Sequence, residues 1–368
     1  MPVQRNTALS INKKMKDWIR PEIKALSAYH VPDASGYIKL DAMENPYRWS
    51  EALTNEWLEL LKTAELNRYP DPAADELKAR IQSSLQIPAN AEIILGNGSD
   101  ELIQMILMAV SGKDRKVLSV SPSFVMYDMI ARFVDMEYID VPLTKEFELD
   151  EKATLKAVTE HQPAVIFLAY PNNPTGNLFD EVIIDKIIES TDAIVIIDEA
   201  YYAFADKTYA DKLSKYGNLL VMRTVSKMGL AGLRLGYVAG SKELLNEIDK
   251  VRLPYNINVL TQVSTEFALK HKDVLDTQTE QIKKDRASMY QVLSQLDGLK
   301  VYPSQTNFFL FRLLKASADD VFNKLKEQKI LIKNMSYTAP ELENCLRVTV
   351  GSPDENEAFL AVISEALD

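Results

Sequence analysis

Glycine is scarce in this chain, at 12 of 368 residues, about half the usual share. Cysteine is scarcer still: Cys345 stands alone, so no intrachain disulfide can form and a reducing compartment fits. Histidine occurs only at His30, His161 and His271, well separated, which gives no basis for a His/Cys metal site. No apolar run approaches the roughly 18 residues of a spanning helix. The first twenty residues contain no apolar stretch of signal-peptide length. Basic charge is also short, with 42 Lys and Arg against 53 Asp and Glu and a net charge of −11. That balance argues against nucleic acid, whose phosphates would be repelled. The expectation from these absences is a cytoplasmic protein with neither a nucleic-acid nor a membrane partner.

What is present is an ordinary core-forming mixture, 46% hydrophobic and 26% charged, long enough for two domains. A polar arm with a short amphipathic segment from Met15 to Leu26 opens the chain, and Asp41 to Tyr47 reads as a loop. Helical patterns follow at about 51–61 and 73–85. From Ile93 onward, apolar runs of four to six residues alternate with helical segments: Ile93–Leu95, Val117–Val120, Val165–Ala169, Ala193–Ile197 and Leu219–Met222. Continuous apolar strands of this kind predict an α/β fold whose mostly parallel sheet is covered by helices on both faces. A long helical region at about 259–296 leads to short strands at 299–302, 307–312, 330–333 and 346–350, a smaller α+β unit. The expected division is an arm over 1–50 packing with the small domain, a large ligand-binding domain over 51–265, and the small domain over 266–368.

Each of the five apolar strands is followed by a polar segment bearing Gly, Pro or charge, at its carboxyl end. Open α/β sheets bind ligands in the crevice outside those ends, so the five segments are expected to converge. After the first strand, Gly96-Asn97-Gly98-Ser99 opens a helix with Ser99 as its N-cap, either an anion site or a simple cap; Asp100 and Glu101 suit the helix dipole with no ligand present. Phe124 follows the second strand and can either stack on a planar ring or pack in the core. Asn173, between Pro171 and Pro174, has its amide fixed in a rigid turn. Asp198 ends an apolar strand, where a carboxylate is costly unless paired. Its partner is a protonated pyridine nitrogen, a helix N-cap, or Mg²⁺ of an ATPase, whose Gly-x-x-x-x-Gly-Lys-Ser/Thr loop the chain lacks. Tyr201 follows three residues on. Lys227 lies among Thr224, Ser226, Gly229, Gly232, Arg234 and Gly236. It is either an amine beside a bound phosphate, as a Schiff base to pyridoxal phosphate requires, or a surface lysine in a polar turn. Arg347, in an otherwise small and apolar strand, needs an anion, from a structural carboxylate or from a substrate.

Taken in order, Gly96 to Glu101, Pro122-Ser123-Phe124, Pro171 to Gly176, Asp198-x-x-Tyr201, Ser226-Lys227 and Arg234 resemble the fold-type I, pyridoxal-phosphate-dependent aminotransferases of class I/II. The resemblance runs from about residue 18 to the C-terminus. Within that family, Arg20-Pro21-Glu22, Leu40 to Tyr47, Arg68-Tyr69-Pro70 and Asn344 to Gly351 are most similar to the histidinol-phosphate aminotransferase group. The resemblance implies that Lys227 forms the Schiff base, Asp198 pairs with the pyridine nitrogen, Tyr201 and Asn173 bond the ring hydroxyl oxygen, and Phe124 stacks on the ring. Ser99, Thr224, Ser226, Arg234 and the amides near Gly98 and Asp100 would hold the cofactor phosphate. Tyr69 would reach the phosphate of a neighbouring subunit, which implies a homodimer. Arg347 would bind the acidic group of the substrate, and Asn45 would lie in a loop that closes over it. The substrates implied are histidinol phosphate and glutamate or 2-oxoglutarate, with an aromatic amino acid or another phosphorylated amino alcohol as the alternative. Two departures from the family pattern stand out. The step from Lys227 to Arg234 is seven residues where members often have eight, and Lys333 stands where some have an arginine for the substrate phosphate.

Overall fold

The computed structural model describes residues 18–28 and 31–367; His30 and the beginning of the arm, including Met15, lie outside them. The described part of the arm holds a short helix, Pro21–Lys24, and strand β1 (Ile38–Lys39). There follow β2 (Glu92–Gly96), β3 (Lys116–Ser121), β4 (Glu137–Pro142), β5 (Val165–Ala169), β6 (Ile194–Asp198), β7 (Leu219–Thr224) and β8 (Gly236–Gly240). These seven form one sheet in the order β2-β8-β7-β6-β5-β3-β4, in which β8 alone runs against its neighbours. The fold is thus the α/β class expected, with β4 as a strand the apolar runs did not reveal.

Alternation along the central strands explains why both faces are covered. Ile166, Ile197 and Val221 enter one buried cluster while their neighbours Phe167, Ile196 and Leu220 enter another on the opposite face. The flanking helices start where the sequence supplies an acceptor: Ser50, Asp150, Asp180, Ser241 and Asn258 each take a backbone N–H of the first turn. Helix Gly98–Val110 is a correction. Its N-cap is Asn97, not Ser99, and the Glu101 carboxylate reaches back to accept the Asn97 N–H at 2.7 Å.

The C-terminal part contains β9 (Leu299–Val301), β10 (Phe308–Leu313), β11 (Ile330–Leu331), β12 (Lys333–Asn334) and β13 (Cys345–Thr349). Four of them make an antiparallel sheet, β12-β13-β10-β9, over a third buried cluster. The single strand expected at 330–333 is two strands in two sheets: β11 pairs with β1, whereas β12 joins β13. The long helical region is likewise two helices, Val259–Lys270 and Lys272–Leu293, meeting at His271. Among the described residues, no helix is long and apolar enough to cross a membrane, and no group of three or more His, Cys, Asp or Glu is placed to hold a metal ion.

The same alternation sorts the charges at the ends of β6 and β7. Asp198 and Thr224 turn toward one side of the sheet, Glu199 and Arg223 toward the other. Glu199 and Arg223 are almost fully buried and paired at 2.8 Å; Arg223 also bonds the Leu85 carbonyl and Thr208, and Glu199 accepts the Tyr209 N–H. Such a pair is costly to break and cheap to replace whole. Arg223→Met is therefore expected to lower stability by about 3–5 kcal/mol, and the double change Glu199→Met with Arg223→Met to recover most of that loss. Urea denaturation of the two variants beside the unsubstituted protein measures both.

Candidate active site

The five strand-end segments line one cavity of about 440 Å³. Ser99 and Asp100 come from the helix after β2, Phe124 from the turn after β3, Pro171 and Asn173 from the loop after β5. Asp198, Ala200 and Tyr201 come from the end of β6, and Thr224, Ser226, Lys227 and Arg234 from the turns after β7. The segment Ala42 to Glu44 closes the mouth. The surface-lysine alternative for Lys227 is therefore ruled out by position.

Lys227 is half-buried, with Nζ donating to the Ala42 carbonyl at 3.1 Å. Burial pushes its amine down to about 8, and the Arg347 cation adds to the effect. Asp198 is 4% exposed. Its two oxygens accept from the Tyr127 hydroxyl at 2.7 Å and the Ala200 N–H at 3.1 Å, both neutral donors. Burial pushes its carboxyl up to about 6 against the pull of those two bonds. A buried carboxylate held by neutral donors is suited to a cationic ligand atom.

The first turn of helix Gly98–Val110, which lines the same cavity through Ser99 and Asp100, supplies free N–H groups and the positive end of its dipole. Gly98 has φ +82, and a Cβ there would meet Arg234 Nη2 at 2.6 Å. A Cβ on Gly236 would lie 2.8 Å from the Gly98 carbonyl carbon and 2.9 Å from the Ser99 nitrogen. Glycine at both positions lets the helix start, the β8 start and the Arg234 guanidinium crowd together. The seven-residue step from Lys227 thus still carries Arg234 to the helix terminus, where Nη2 is 3.6 Å from Asp100 Oδ2. Asp100 itself is raised by burial, with Arg234 opposing. The Thr224 hydroxyl lies 2.8 Å from Ser226 Oγ, and both line the cavity.

Arg347 and Lys333 lie in an adjoining cavity of about 370 Å³, which shares Met43, Phe124 and Asn173 with the first. Arg347 donates to Asn173 Oδ1 at 2.6 Å and to the Asp41 carbonyl at 2.9 Å. Three of the expected residues line neither cavity: Gly98, just before Ser99 on the helix start, and Asn45 and Tyr69. Asn45 turns its amide to the Met228 carbonyl and Gln278. Tyr69 is 80% exposed and stacks on Tyr255 at 4.4 Å. Tyr127, Glu44 and Ala200, which the sequence does not mark, join the site through the fold.

A lysine amine, a carboxylate awaiting a cation and an anion-binding helix terminus in one crevice of an α/β sheet define a class: enzymes that bind a phosphorylated, cationic-ring cofactor through a lysine. The residues present fit pyridoxal phosphate. A family model described as aminotransferase class I and II matches residues 35–363, and the chain belongs to that family. It is 53% identical over 350 residues to histidinol-phosphate aminotransferase 2 of Nitrosococcus oceani, covering 95% of this chain and 97% of that one. It is 48% identical over 354 residues to histidinol-phosphate aminotransferase 2 of Cupriavidus pinatubonensis, covering 95% and 96%. Among solved structures, histidinol-phosphate aminotransferase from Sinorhizobium meliloti in complex with pyridoxal-5'-phosphate superimposes with a TM-score of 0.84 at 22% identity, covering 95% of this chain and 98% of that one.

Asp198 and Lys227 give the ligand-free protein a distinctive pH dependence. Asp198 has its folded pKa raised from 3.8 to about 6, so the folded state binds the extra proton and stability is lost as pH rises between those values. Lys227 has its folded pKa lowered from 10.5 to about 8, so stability is regained as pH rises through that window. The combined contribution is lowest between about pH 6 and 8. Asp198→Asn keeps partners for both Tyr127 and Ala200. It is expected to stabilise the ligand-free protein by about 2–3 kcal/mol at pH 7 and to remove the fall between pH 4 and 6. Urea midpoints across that range test it.

Proposed function

We propose that this chain is a pyridoxal-phosphate-dependent aminotransferase that exchanges the amino group of histidinol phosphate with 2-oxoglutarate, a step of histidine biosynthesis. The observation that carries the chemistry is the placement of the Lys227 amine, the Asp198 carboxylate and a helix N-terminus around one cavity. The relatives 45–53% identical over nearly the whole chain, all named for histidinol phosphate, support the substrate.

In this reading Lys227 holds the cofactor covalently, Asp198 balances the charge of its ring nitrogen, and Asn173 and Tyr201 take its ring oxygen. Phe124 covers one ring face. Ser99, Thr224, Ser226, Arg234 and the N–H groups near Gly98 and Asp100 hold the phosphate. When bound, pyridoxal phosphate supplies an electron sink for the pair left behind as the carbon bearing the amine loses its proton. Displaced by the substrate amine, the freed Lys227 Nζ would take that proton and return it to the neighbouring carbon; burial brings this amine down to about 8, which leaves an appreciable unprotonated fraction at neutral pH. Arg347, beside Asn173 in the second cavity, binds phosphate in one half-reaction and a carboxylate in the other, with Lys333 as a second cation.

We place Tyr69 at the interface of a homodimer, where its exposed ring reaches toward the neighbouring subunit's phosphate. The arm to residue 50 and the small domain from 266 close the substrate side, and residues 51–265 carry the cofactor. The cytoplasm is the compartment: Cys345 is buried, and burial pushes its thiol up to about 11, so it takes no part in disulfide chemistry.

Lys227→Ala is expected to remove the visible absorbance of the lysine-bound cofactor; an unchanged spectrum rules out the assignment. Transamination assays with 2-oxoglutarate are expected to show kcat/KM for histidinol phosphate above that for phenylalanine and tyrosine. The reverse order would move the enzyme to aromatic substrates and leave the cofactor reading intact.

A further inference from the structure

Tyr127 is fully buried, and its hydroxyl donates to Asp198 Oδ2 at 2.7 Å. Its ring lies nearly parallel to Phe167, with centroids 4.6 Å apart, and meets Phe124 edge-on at 5.5 Å. Two aromatic contacts therefore leave the phenol little freedom, and one of them is with the residue assigned to the cofactor's ring face. Tyr127 lies in the first turn of helix Met126–Phe133 and Phe124 in the turn just before it, so the chain that presents the stacking ring also presents the donor.

We propose that Tyr127 is a positioning residue for the reaction: its hydroxyl keeps Asp198 ionised and aimed at the cofactor's ring nitrogen, and its ring fixes Phe124. This rests on the pyridoxal-phosphate reading above. The groups facing Asp198 make the need clear. Asp100 from helix Gly98–Val110 and Glu199, the residue just after β6, act in the same direction as burial, favouring the protonated acid. Tyr201 is a buried neutral phenol, and Lys227 stands elsewhere in the same lining. The Tyr127 hydroxyl, with the Ala200 N–H, opposes them. Without it the carboxyl would climb above about 6, and a proton would compete with the ring nitrogen for the same oxygens.

Titration of ligand-free protein with pyridoxal phosphate between about pH 5 and 9 tests this on the unsubstituted protein, Tyr127→Phe, Asp198→Asn and the double variant. Tyr127→Phe is expected to bind about tenfold more weakly near pH 6–7 and to converge with the unsubstituted protein near pH 9. On Asp198→Asn, adding Tyr127→Phe is expected to leave the profile unchanged. Ionisation of Lys227 and of the cofactor phosphate is common to all four proteins and drops out of the comparison. An equal loss at every pH, or the same loss on Asp198→Asn, would show simple packing and overturn the proposal. Should Tyr127→Phe fail to fold, 3-fluorotyrosine at 127, a stronger donor, is expected to move the profile to lower pH, and no movement overturns it. An unsubstituted protein that takes up no cofactor overturns the functional reading, whereas the preceding outcomes overturn this inference alone.

Discussion

Two adjacent carboxylates at the end of one buried strand, Asp198 and Glu199, meet opposite fates, and the organisation of the site follows from that difference. The pleat sends them to opposite sides of the sheet. Glu199 finds Arg223 and closes a buried ion pair within the fold. Asp198 finds only a phenol and an amide among its hydrogen-bond donors, which steady its charge without cancelling it. A fold can tolerate one such incompletely compensated carboxylate where a ligand is to supply the missing charge. Lys227, pushed down by burial and by Arg347, is its counterpart at the same crevice.

Much of the large sheet could be read from the sequence because its strands are buried on both faces and so appear as unbroken apolar runs. β4 could not: it is an edge strand paired only with β3, and Glu137, Asp140 and Pro142 interrupt its pattern. The run at 330–333 reads as one strand because nothing local records that Leu331 pairs with the arm while Lys333 turns to β13. Ser99 was a reasonable cap by residue type, yet the glycine before it already takes the first helical position, and Glu101 serves the terminus instead.

The site divides in the same way. Residues at strand ends, such as Lys227, Asp198, Asn173 and Thr224, were legible because position at a carboxyl end is itself a signal. Tyr127 was not, because no local spacing rule connects the turn after β3 to the carboxylate ending β6 71 residues later. Nor was the separation of Arg347 and Lys333 into a neighbouring cavity, which depends on how the small antiparallel sheet sits beside the loop after β5. Asn45 and Tyr69 show the converse: the sequence marks them, while the single chain places neither in the cavities.

The segment that closes the mouth of the cavity is gripped through its main chain. Lys227 bonds the carbonyl of Ala42, Arg347 that of Asp41 and Asn307 that of Met43. Carbonyl groups are the same whatever side chain they carry, so these three bonds do not depend on the side chains along the strap. Side chains hold it at three other points: Asp41 and Glu44 both pair with Lys39, and Met43 is buried in the cluster of the small sheet, which leaves Ala42 as the position whose side chain is least engaged.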